Sequence, residues 1–138
     1  HPDAIPPAQA IRRALAAGVP EGRITLSTDS GAAYPRLDEA RRAVGSYMPG
    51  PDGLLETVRE LVKEGMAWGR AAAFCGAHVA ELLGLTGKGR LRAGADADVL
   101  VLTEAGAVDR VYGRGRLLVE GGRPTVRGAY GASATGAP

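Results

Sequence analysis

Apolar residues recur along this chain in two rhythms, first helical and later strand-like. Ala8, Ile11, Leu15 and Val19 lie at helical spacing behind Pro6 and Pro7. A missing N–H costs little at a helix start, so the two prolines open a helix that Gly18 and Pro20 close. The next run, "RITLST", alternates and predicts a strand over 23–28 with Ile24 and Leu26 on one face. Helix then strand, joined by a short "PEG" turn, is the beat of an α/β protein. Glycines and prolines punctuate 29–53, which predicts a long loop, either a functional one or a mobile connection with no role. A second helix is expected over 54–64, with Leu54, Leu55, Val58, Leu61 and Val62 in one stripe. Glu56 near its start and Lys63 near its end suit the helix dipole. A third is expected over 68–83, with Ala71, Ala72, Cys75, Val79, Leu82 and Leu83 facing inward.

The period then changes. Short apolar runs at 98–103, 108–112 and 117–120 are separated by glycine turns and predict a small antiparallel β module. After Pro124 the composition turns to Gly, Ala, Ser and Thr, and disorder is expected from about Ser133. The organisation read from the pattern is an α/β part over 1–84, a β module over 85–130 and a tail over 131–138.

With 138 residues the chain fits one ordinary domain or a piece of a larger one. It begins with His1 and Pro2 instead of Met, which raises the expectation of a missing early part. Hydrophobic residues at 45% allow a core, and aromatics at 4% leave that core to Leu, Val, Ile and Ala. A net charge of +2 without a long basic run argues against a nucleic-acid partner. No 18-residue apolar stretch and no signal-like segment appear, so no membrane partner and a cytoplasmic location are expected. The lone Cys75 forms no internal disulfide and fits a reducing compartment.

Candidate chemistry centres on Asp29, a carboxylate at the end of the expected strand. In (β/α)8 barrels that position carries catalytic groups, and a carboxylate there binds a divalent metal or acts as a base. A turn or N-cap aspartate is the plainer alternative. Cys75 and His78 lie three apart on the expected helix, but two ligands fall short of a zinc site, and a buried core pair explains them better. "GKGRLRAG" precedes a strand and matches no phosphate-binding pattern, so turn geometry accounts for it. The arginines of "GRGRLL" read as a solvated hairpin. Ser27 and Ser30 have no histidine base near them in sequence, which removes a serine triad.

The stretch "LTGKGRLRAGADADVLVL" followed by "VDRVYGRGRLLVEGGRPTVRG" resembles the C-terminal signature of the amidohydrolase superfamily. Its Gly-x-x-Ala-Asp-hydrophobic motif corresponds to 94–99, and "FCGAHVAELLGL" is similar to the last barrel helix before it. "RITLSTDSGAAYP" and "LLETVRELVKEGM" narrow the resemblance to isoaspartyl (β-aspartyl) dipeptidases. The resemblance spans about Ile5 to Gly128. It implies the C-terminal part of a (β/α)8 TIM barrel, including its last strand and helices, plus strands of a small appended β-sandwich. It also implies a binuclear divalent-metal centre of the zinc type and a small peptide or amide substrate. A homo-oligomer is expected, together with the missing N-terminal part of the same enzyme as partner. Asp29 matches the family's strand-8 aspartate, which contacts a metal and carries the proton from attacking water to departing amine.

Two departures stand out. The family's loop carries a substrate-binding serine four positions after the aspartate, and that position is Ala33, so Ser30 or Tyr34 is the candidate substitute. The family's other ligands lie upstream of the matched region, and neither His1 nor His78 matches one. The segment alone is therefore expected to be inactive. Another amidohydrolase of the deacetylase, hydantoinase or dihydroorotase type stays open as an alternative. So does a non-catalytic binding or assembly module that kept the architecture.

Overall fold

The computed structural model describes residues 5–126. It is a mixed helix and sheet protein that divides into two compact units, His1–Gly89 and Arg90–Pro138.

The first unit opens with α1 (Pro7–Ala16), where Pro7 holds the first helical position. Gly18 takes a left-handed backbone (φ +82°) after the helix, and the amides of Gly18 and Val19 bond back to Leu15 and Ala14. A single 3-10 turn, Glu21–Arg23, leads into an extended segment over 24–28. Ile24 and Leu26 turn inward onto the core, as the alternation predicts. The segment nevertheless joins no sheet among the described residues. Its backbone is held by residues of 74–78 instead: the Leu26 amide donates to the Phe74 carbonyl at 2.8 Å, and His78 Nδ1 lies 3.1 Å from the Ile24 carbonyl oxygen. A strand is defined by a neighbour, and the expected strand has none here.

The long loop expected over 29–53 contains a hairpin. Its strands β1 (Tyr34–Leu37) and β2 (Ala43–Tyr47) pair antiparallel, with Tyr34 opposite Tyr47. In a two-stranded ribbon both strands are edges, so Pro35 is tolerated. The turn between them is tied by Asp38, which accepts from the Arg42 amide and from its guanidinium, each at 2.8 Å.

The second helix forms as expected, α2 (Gly53–Lys63). The third does not run through. It breaks into α3 (Trp68–Ala73) and α4 (Ala77–Leu82), with Gly76 at φ −124°, ψ −88° between them. Leu82 and Leu83 face outward, 72% and 63% exposed, which corrects the inward placement read from the pattern. The core gathers Ala8, Ile11, Val58, Leu61, Ala71 and Phe74, with Leu61 and Phe74 fully buried. Burying side chains of that size contributes about 1.5–3 kcal/mol each.

The second unit is one antiparallel sheet in the order β3 (Val99–Leu102), β4 (Val108–Gly113), β5 (Arg116–Glu120), β6 (Arg123–Pro124). The three expected strands are present and a short fourth joins them. Among the described residues it is a single sheet, without the second layer a sandwich needs. Arg114 and Gly115 make the two-residue turn of β4 and β5, both at positive φ (50° and 76°), as a tight hairpin demands. Asp98 and Ala97 clamp that turn: the Arg114 amide donates to Asp98 Oδ1 at 2.8 Å and the Gly115 amide to the Ala97 carbonyl at 2.9 Å. The tail expected from Ser133 lies outside the described residues.

Candidate functional site

Asp29 ends the extended segment, and its backbone turns left-handed at φ +47°. A non-glycine residue there is uncommon, although aspartate tolerates it better than most. The turn lifts its carboxylate away from the inward-facing Ile24 and Leu26 and leaves it exposed. Local hydrogen bonds hold it. Ser27 Oγ donates to Asp29 Oδ1 at 3.2 Å and accepts from the Asp29 amide at 3.3 Å. The Tyr34 hydroxyl donates to Asp29 Oδ2 at 2.7 Å. The Ala32 amide bonds to the Asp29 carbonyl at 3.1 Å, and the Ser30 amide to Thr28 Oγ1 at 3.2 Å.

The hydrogen bond to Asp29 holds the Tyr34 phenol above its ordinary value, since ionisation would lose that bond and set two negative charges together. The Tyr34 ring rests against Tyr47, with centroids 5.7 Å apart and planes at 33°. Asp29 neither caps a helix nor is buried. Ala33 is exposed and brings no hydroxyl, and Ser30 is exposed beside it. Of the three substrate-contact candidates, only Tyr34 is joined to Asp29 by a side-chain bond. Tyr47 escaped sequence reading, because its partner becomes evident only through the strand register.

A cavity of about 180 Å³ lies against the same segment, lined in part by Leu26, Ser27, Thr28, Pro49, Gly53 and Thr57. Thr57 is buried and spends its hydroxyl on the Gly53 carbonyl at 2.7 Å.

The other candidates serve structure. The helix break puts Cys75 in the turn, with its Sγ 3.4 Å from the Ala72 carbonyl oxygen. Burial pushes its thiol above the usual range. His78 packs edge-on against Phe74 at 5.3 Å. Among the described residues no three His, Cys, Asp or Glu side chains gather to hold a metal. The exposed Asp29 carboxylate is a hard oxygen donor, and one such donor cannot make a metal site by itself.

Residues 6–118 match the Amidohydrolase family. The chain belongs to this family. Among solved structures it is similar to the β-aspartyl dipeptidase of Fervidobacterium islandicum AW-1 in complex with a β-Asp-Leu dipeptide. That match has 20% identity and a TM-score of 0.77, over 88% of this chain and 32% of the other. A second structure of that dipeptidase gives 17% identity and a TM-score of 0.71, over 89% and 30%. The N-acetylglucosamine-6-phosphate deacetylase of Pasteurella multocida gives 18% and 0.57, over 77% and 32%. At these identities the likeness is one of fold. The amidohydrolase chain spans about a third of the length of these solved structures. Among its described residues, no helix is long and apolar enough to cross a membrane.

Proposed function

We propose that this chain is the C-terminal part of an isoaspartyl-dipeptidase-like amidohydrolase that cleaves a β-aspartyl amide bond. In this reading residues 1–84 complete a (β/α)8 barrel, with 23–28 as its last strand, and 85–130 supply strands of the appended β module. The observation that carries it is the exposed Asp29 carboxylate at the end of the extended segment, the position that the resemblance of "RITLSTDSGAAYP" matches to a strand-8 aspartate. The likeness of fold to a β-aspartyl dipeptidase supports the substrate class.

A bound divalent pair, of the zinc type, would polarise the scissile carbonyl and lower the pKa of water. Asp29 would offer one oxygen ligand. Its carboxylate would accept a proton as water attacks and return it to the departing amine nitrogen. The remaining ligands would come from the N-terminal part of the same enzyme.

The test is hydrolysis of β-Asp-Leu by the full-length protein. Asp29→Asn is expected to lower kcat by about 10²–10⁴-fold, the usual contribution of a positioned acid–base group. Tight binding of two zinc ions and turnover by the isolated 138-residue chain would overturn the proposal. The exposed Ala33, without a hydroxyl for an α-carboxylate, and the likeness to a deacetylase favour a second reading, removal of an acyl group from an amine. A panel containing both β-aspartyl dipeptides and N-acetylated sugars separates the two.

A further inference from the structure

The geometry points to Tyr34 as the positioning residue for Asp29, with its hydroxyl fixing the rotation of the carboxylate and Tyr47 holding the ring in place; this rests on the proposed role of Asp29. An exposed carboxylate on a short side chain turns freely about its terminal torsion unless both oxygens are tied. Here they are tied from opposite directions along the chain. Ser27, two residues earlier, binds Oδ1 at 3.2 Å, and Tyr34, five residues later, binds Oδ2 at 2.7 Å. The second contact is the shorter, and it comes from a side chain with little freedom of its own. Tyr34 opens β1, its register partner is Tyr47, and the two rings lie 5.7 Å apart.

The hairpin therefore has a function beyond connection. It carries a rigid aromatic donor back to the end of the extended segment. Each carboxylate oxygen keeps a lone pair after one hydrogen bond, so the same group can still face an ion or a proton. The left-handed backbone at Asp29 agrees with this, because strain of that kind persists only where the surroundings over-determine the conformation.

Partners that orient a metal-binding group typically change metal affinity or activity by about 10–100-fold when removed. Three variants of the full-length protein test the inference: Tyr34→Phe, Asp29→Asn and the pair together. Zinc affinity by chelator competition is read beside kcat and KM on β-Asp-Leu. Tyr34→Phe keeps the ring on Tyr47, so the thermal midpoint should hold. Its kcat and zinc affinity should each fall about 10–100-fold with KM unchanged. In the Asp29→Asn background the same change should add nothing, because its only route is through Asp29. If Asp29→Asn is damaging while Tyr34→Phe leaves zinc affinity and kcat intact, the inference fails and the role of Asp29 stands. If the two losses multiply in the double variant, Tyr34 acts by its own route and the inference fails. If Asp29→Asn changes neither zinc affinity nor turnover, the role of Asp29 falls and takes the inference with it.

Discussion

Single residues decide what the loop around Asp29 can do. In the proposed reading Ala33 takes the place of a substrate-binding hydroxyl, so Ala33→Ser in the full-length protein should lower KM for β-aspartyl dipeptides about tenfold and leave kcat alone. That is the low end of what one hydrogen bond to a charged group contributes. Steady-state kinetics on β-Asp-Leu checks it. Asp38 governs the far end of the same hairpin. Its hydrogen bonds, the Arg42 amide first, hold its carboxyl below the usual range. A depressed carboxylate stabilises the folded turn above its unfolded pKa and loses that contribution as pH falls through the folded one. The Arg42 amide resonance should therefore move in an acid titration with a midpoint below that of a free aspartate, and Asp38→Asn should abolish the movement. Asp29 was legible as a candidate because a carboxylate ended an alternating run. Its ties were not, because Tyr34 reaches it through a left-handed turn that no spacing rule anticipates.

Elements were legible where period and punctuation agreed. Helices α1 and α2 have stripes, starts and stops that point one way, and they lie close to where the pattern predicts them. The interrupted helix did not follow, because Gly76 adopts an angle pair outside the helical region while the apolar spacing on either side runs on unbroken. The hairpin was missed for the opposite reason. Pro35 and Gly45 argue for a loop, and only the pairing of two edge strands makes them acceptable. Phe74 sits at the break and is fully buried, so Phe74→Ala should cost about 3–5 kcal/mol, measurable by denaturant unfolding. Gly89 closes against α4, where an added Cβ would meet the Ala80 Cβ at 2.8 Å and the Ala77 Cα at 2.9 Å. Gly89→Ala should lower stability by about 1–3 kcal/mol from overpacking alone, with a further penalty for its left-handed backbone.

At the scale of the whole molecule, family was easier to read than chemistry. The chain's family shows in 94–99 and in the strand rhythm after it, yet none of those residues belongs to the candidate site. The reason lies in the clamp that Asp98 makes on the turn at Arg114 and Gly115. That carboxylate organises a hairpin. Asp98→Ala should lower the thermal midpoint of the full-length protein and leave kcat unchanged, which differential scanning calorimetry beside an activity assay will read. What carries the resemblance at 94–99 is thus a fastening of the hairpin turn. A protein could keep that fastening long after its reactive groups had been exchanged, so ancestry read from it says how the polypeptide is put together and leaves its present chemistry to be established at Asp29.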